Sequence, residues 1–182
     1  PSIVNDVLKR NPQSCAELTR ALIVDPFWLK KIAYNAERLI IRCTQCNQGC
    51  SLHNILAEGK LNCMMNPTMF ENHRDIMRHT HSPKRILIVG AGPAGLATAV
   101  FAARRGHNVT IYETRDEIGG QVRFISQVPG KQKYIYLIDL FRRLCNRFDI
   151  KIETNHKVTL QELDDIRVLF DRVIFATGSH PG

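Results

Sequence analysis

The 182-residue sequence has only six cysteines, too few to build a disulfide scaffold. It has no run of about 18 apolar residues that would offer a membrane helix. It shows no basic-then-apolar leader of the kind that directs secretion. What is left is a chain of ordinary globular composition, 44% hydrophobic, and a reducing cytoplasmic compartment is expected. The net charge of +8 raises the question of nucleic acid. However, no stripe of basic residues is interleaved with aromatics, and Lys and Arg are scattered apart from small knots at Arg104-Arg105 and Arg142-Arg143. A solvated basic surface is therefore expected, with no nucleic-acid partner. An initiator methionine is also missing, and the chain runs from Pro1 to Pro181-Gly182. The expectation is a fragment whose first partner is the remainder of its own chain.

Four of the six thiols are crowded together, in Cys43-Thr-Gln-Cys46-Asn-Gln-Gly-Cys50 and then Cys63. Thiolates are soft ligands that suit zinc, copper(I) or iron–sulfur clusters. Zinc modules bring two C-x2-C knuckles across a spacer, and here there is one. Three thiols on a tight loop with a fourth returning later suit a cubane cluster ligated by four cysteines. Gly49 is expected where backbone bends close to inorganic sulfide, and Asn66-Pro67 marks a turn after the fourth ligand. Cys15 and Cys145 stand alone among apolar residues and are expected to be buried free thiols. His73, His79 and His81 precede Ser82-Pro83 in polar sequence that reads as an exposed linker rather than a second metal site. His53 reads as a surface or packing residue.

The length admits one or two domains. Ahead of the cysteines, Val4–Arg10 reads as a short helix ended by Asn11-Pro12, and Cys15–Leu18 as a brief strand. Asp25 is a natural N-cap with Pro26 at the first helical position, opening a helix over Phe27–Arg38. About forty such residues bury little core alone.

Behind the cysteines the pattern changes. Arg85–Val89 is a continuous apolar run, as in a buried parallel strand. Gly90-Ala-Gly92-Pro-Ala-Gly95 follows at once. Leu96–Arg105 is helical and is stopped by Gly106, and Val109–Glu113 is the next strand. A G-x-G-x-x-G between strand and helix, with an acid closing the next strand, is a dinucleotide fingerprint. Gly90 makes the tight turn, Gly92 lets backbone approach a pyrophosphate at the helix N-terminus, and Gly95 allows close packing. Glu113 is placed to accept from a ribose diol and disfavours a 2′-phosphate there. Gly119-Gly120-Gln121 forms a second glycine turn, in which Gly120 allows backbone contact and Gln121 a hydrogen bond to the ligand. Lys131–Phe148 is amphipathic, and Tyr134 and Phe141 on its apolar face are expected in the core. Ile150–Glu153 and Arg172–Ala176 are further strands, the last leading into Thr177-Gly178.

On these residues the chain resembles the multidomain NADH:flavin oxidoreductases, the family of 2,4-dienoyl-CoA reductase, trimethylamine dehydrogenase and enoate reductase. The matching stretches are Arg20–Pro26, Ile41–Cys50, Cys63–Pro67, Gly90–Gly95, Gly106–Glu113, Gly119–Gln121 and Ala176–Gly178. The resemblance implies an α/β chain in three parts. Residues 1–42 would be the C-terminal end of an FMN-binding TIM barrel, 43–82 a 4Fe–4S segment and linker, and 83–182 the N-terminal part of a Rossmann-like FAD-binding domain. It implies Cys43, Cys46, Cys50 and Cys63 as cluster ligands. It places Gly90, Ala91, Gly92, Ala94, Gly95, Glu113, Gly120, Gln121, Val158 and Gly178 at FAD, or at ADP in the dehydrogenase branch. Arg20 would hold an FMN phosphate, with Thr19 beside it where Gly or Ala is usual. Electrons would run from NAD(P)H through FAD and the cluster to FMN and an enoyl-type substrate. A homo-oligomer is a further expected partner, and no catalytic acid or base is assigned. An electron-input subunit like that of glutamate synthase, and a zinc- and nucleotide-binding module, are the alternatives.

Overall fold

The structure, a computed structural model, describes residues 2–51, 55, 56, 59–66, 69 and 78–179. His53, Pro67 and His73 lie outside the described residues. The chain divides into two compact units, Pro1–Phe70 and Glu71–Gly182.

The first unit includes the helices α1 (Ser2–Arg10), α2 (Thr19–Val24) and α3 (Trp28–Ala33), with a 3-10 turn at Glu37–Leu39. The strand expected over Cys15–Leu18 is irregular chain, and Cys15 is exposed rather than buried. The helix expected over Phe27–Arg38 stops early. Asn35 takes φ +53°, a left-handed conformation that ends α-helices. Its small core is Val24, Trp28, Ile40 and Met65, with Asp25, Thr44 and Asn66 buried among the polar residues.

The second unit is built on a four-stranded parallel sheet of order β3-β2-β1-β4. Its strands are β1 (Arg85–Val89), β2 (Asn108–Tyr112), β3 (Lys151–Glu153) and β4 (Arg172–Phe175). The apolar run of β1 makes it central: it pairs Val89 with Tyr112 on one side and with Phe175 on the other. Leu87, Ile88 and Ile111 are completely buried, each side chain contributing about 1.5–3 kcal/mol relative to exposure.

Between the strands run α4 (Pro93–Arg104), α5 (Gln121–Ile125), α6 (Ile135–Arg147) and α7 (Leu163–Leu169). Helix α4 starts with Pro93 at the first helical position, where its missing N–H costs nothing. It ends at Gly106, φ +92°. Helix α6 buries Leu137, Ile138, Leu140 and Cys145 and packs on α4. Tyr134 and Phe141 are half-buried. On the opposite face, Ile166 of α7 packs with Leu87 and Val89, flanked by Tyr112, Val158, Phe170 and Val173. Helices α5 and α7 are additions to what the sequence pattern predicted.

Candidate nucleotide edge and cysteine loop

A parallel sheet ends all its strands on one edge, and the fingerprint residues sit on that edge. The backbone N–H of Gly90 donates to Tyr112 O at 2.7 Å, that of Ala176 to Val89 O at 2.8 Å, and that of Glu113 to Glu153 O at 2.9 Å. The strand order reverses between β2-β1 and β4, and such switch points open the crevice in which α/β sheets bind ligands.

Gly90 has φ +109°, and a Cβ there would stand 2.5 Å from Ala176 O. Only glycine meets both conditions. A Cβ on Gly95 would overlap the carbonyl oxygen of Gly90, so this glycine lets α4 seat against the strand ends. Gly92, the N-cap of α4, and Gly178 face open space. A ligand can approach the backbone there. Gly120 lies against Gly92, its would-be Cβ 3.0 Å from Gly92 Cα. The second glycine turn therefore closes beside the first, joined by Gly119 N–H to Ala91 O at 2.8 Å. Arg123 braces that turn, 2.7 Å from Glu117 and 3.8 Å from Asp116.

Glu113 is buried. Its Oε2 accepts the Ala91 N–H at 2.6 Å and its Oε1 the Arg115 N–H at 2.9 Å. The carboxylate thus ties the first turn of the fingerprint to the end of β2. A carboxylate has about four acceptor positions, so capacity for a ribose diol remains. The N–H of Ala91 is spent on Glu113 rather than offered to a ligand. Gln121 donates from Nε2 to Ser179 O at 3.2 Å, bracing the loop after β4. Ala94 lies exposed on the first turn of α4, where its carbonyl accepts the Thr98 hydroxyl at 2.8 Å. Val158 packs its side chain on the α7 face of the sheet.

In the first unit the four clustered cysteines are all free and half-buried. Gln45 and Asn47 adopt φ +60° and +52°, curling the loop, and the Gln45 N–H points at Cys43 Sγ at 3.3 Å. Burial pushes the Cys63 thiol up, backbone N–H groups of Met65 and Asn66 pull it down, and the charges of Cys46 and Cys50 push it up further. Among the described residues no three His, Cys, Asp or Glu side chains are close enough to hold a metal ion, the histidines at 79 and 81 included. The donor chemistry nonetheless fits a thiolate-held group. Four soft ligands lie in one short stretch of chain, one of them already approached by the Gln45 N–H, and the Thr44 hydroxyl is buried with no partner. The close approach at Gly49 is protein against protein: a Cβ there would overlap the Asn62 side chain.

Thr19 opens α2, its hydroxyl donating to Glu17 at 3.1 Å. Arg20 is exposed and reaches Asn47 of the cysteine loop. Asp25, read from the sequence as a cap, is a buried hub. It takes the Phe27 N–H at 3.2 Å in the capping manner, but also the Ile41 N–H at 2.9 Å and Lys31 Nζ at 2.6 Å.

Comparison with known proteins follows this division. Residues 88–148 match the family described as an NAD(P)-binding Rossmann-like domain. The chain is 31% identical, over its whole length, to NADH oxidase of Thermoanaerobacter brockii, spanning 28% of that protein. It is also 31% identical to the metal reductase of Desulforamulus reducens, again along the whole chain and spanning 27% of it. In structure it superposes on a 2-naphthoyl-CoA reductase in complex with 2-naphthoyl-CoA, with TM-score 0.89 and 30% identity, covering 100% of this chain and 27% of that one. Its homologues are oxidoreductases, and the resemblance drawn from the cysteine loop and the fingerprint is borne out. The chain spans little more than a quarter of each relative. No helix among the described residues is long and apolar enough to cross a membrane.

Proposed function

We propose that this chain is the electron-transfer segment of an NAD(P)H-dependent flavin oxidoreductase acting on an enoyl- or dienoyl-type substrate. The observation that carries the reading is the pairing, in one chain, of a four-thiol loop with a nucleotide edge closed by Glu113. In this reading the ligand at that edge is FAD. Gly92 and Gly178 leave room for backbone contact to its pyrophosphate region, Glu113 accepts from its ribose, and Gly120 and Gln121 line the second turn. Cys43, Cys46, Cys50 and Cys63 hold a 4Fe–4S cluster, and Arg20, beside Thr19, faces an FMN phosphate. When bound, these groups supply hydride acceptance from NAD(P)H and one-electron transfer towards FMN.

The likeness to NADH oxidase and to 2-naphthoyl-CoA reductase includes residues 1–42 as well as the fingerprint. This supports a barrel-linked reductase over a glutamate-synthase-like subunit. The test is composition of the intact protein purified anaerobically. About four iron and four labile sulfide per chain, with extractable FAD, are expected. One zinc with no sulfide, or a nicotinamide in place of flavin, would overturn the reading.

A further inference from the structure

The cysteine loop is held at both ends by one turn of chain. On the entry side, Ile41 lies two residues ahead of Cys43, and its N–H donates to Asp25 Oδ2 at 2.9 Å. On the exit side, Asn66 lies three residues after Cys63, and its Nδ2 donates to Ile23 O at 2.9 Å. The Asn66 backbone N–H also closes a turn onto Cys63 O at 3.0 Å. Residues 23 and 25 thus grip both flanks of a segment that must bring its first and last thiols to one place.

The grip is built to last. Asp25 is 1% exposed and Asn66 is buried. Lys31 neutralises the carboxylate at 2.6 Å and reaches on to Leu39 O at 2.8 Å, fixing the 3-10 turn that leads into Ile41. A buried carboxylate is retained only where such partners satisfy it, and removing a partner is costly.

We infer that Asp25 and Asn66 are positioning residues of the thiol site, setting the separation of Cys43 and Cys63 before any cluster is assembled. With both flanks of the segment held, less chain needs ordering when the thiols are ligated, so the cluster is retained more tightly. The inference rests on the proposed cluster and deepens it.

The test uses the intact protein, purified anaerobically, as wild type, Asp25→Asn and Asn66→Ala. Iron and sulfide are counted first. Wild type lacking both overturns the cluster reading and this inference with it. With the cluster present, resistance of iron to a chelator is timed and the reduced cluster's electron paramagnetic resonance spectrum is recorded. FAD retained at the Glu113 edge, in the other unit, serves as the control for folding. Each variant is expected to lose iron about tenfold faster, with an altered spectrum and unchanged FAD. Should Asp25→Asn fail to fold, Asn66→Ala decides alone, since it leaves the buried Asp25–Lys31 ion pair in place. Wild-type iron retention and an unchanged spectrum in a folded variant would sink the inference.

Discussion

Arg20 Nη1 donates to Asn47 Oδ1 at 3.2 Å, so the arginine proposed to hold a flavin phosphate also touches the loop between Cys46 and Cys50. The bond is exposed, and Asn47 sits at φ +52°, a conformation that asparagine tolerates better than most residues. Asn47→Ala frees the guanidinium and strains the loop. FMN retention by the intact protein is expected to weaken about two- to tenfold, the equivalent of one hydrogen bond. Equilibrium dialysis checks it, and unchanged FMN affinity would remove Asn47 from any role in orienting Arg20.

Glu113 has two tasks, and its replacement should show both. Glu113→Ala leaves the N–H groups of Ala91 and Arg115 without their acceptor, at a cost of about 1–3 kcal/mol. It also removes the acceptor for the ribose. Chemical denaturation should show a lower midpoint, and purified protein should carry less flavin. A variant of full stability that loses flavin would mean the backbone ties matter little. Lost stability with full flavin content would exclude the ribose role.

Gly90→Ala tests the turn itself. The φ of +109° and the 2.5 Å approach to Ala176 O leave no room for a methyl group. The backbone conformation alone accounts for about 1–3 kcal/mol. A denaturation midpoint within error of wild type would contradict the geometry of the β1–α4 turn.

Cys145 is fully buried, and burial pushes its thiol up to about 11. A folded value above the unfolded one means that this group favours the native state fully below the unfolded value of 9.0, and loses that contribution as pH climbs from 9.0 towards about 11. At pH 8, native protein should leave Cys145 unalkylated by iodoacetamide while exposed Cys15 reacts, as peptide mass spectrometry would read. Denaturant should open Cys145 to the reagent. Equal labelling of both in native protein would refute its burial.

Much of the second unit was legible in the residues. An apolar run, three spaced glycines and an acid closing the next strand are local signals, because a tight turn and a buried parallel strand each restrict which residues they accept. The four strands appear within a residue or two of expectation for that reason. Helix α7 was missed, although Thr159 and Glu162 mark the turn that precedes it at Leu163. The glutamate accepts from the Thr159 N–H at 2.8 Å and its hydroxyl at 3.2 Å, the spacing of a capping box. The missed break in α3 at Asn35 has no such mark, since asparagine occupies left-handed and helical conformations alike.

The sequence by itself determined which residues could carry chemistry: four thiols at ligand spacing, and a fingerprint ending in Glu113. Local spacing is enough for this, because ligand loops and phosphate turns are short. Only the tertiary structure decided what holds them. Asp25 gripping Ile41, Asn66 gripping Ile23 and Arg20 reaching Asn47 join residues 16 to 43 positions apart. Glu113 bound to Ala91 joins two strand ends across 22. Such partnerships depend on how the chain folds back on itself, and neighbouring residues carry no trace of them.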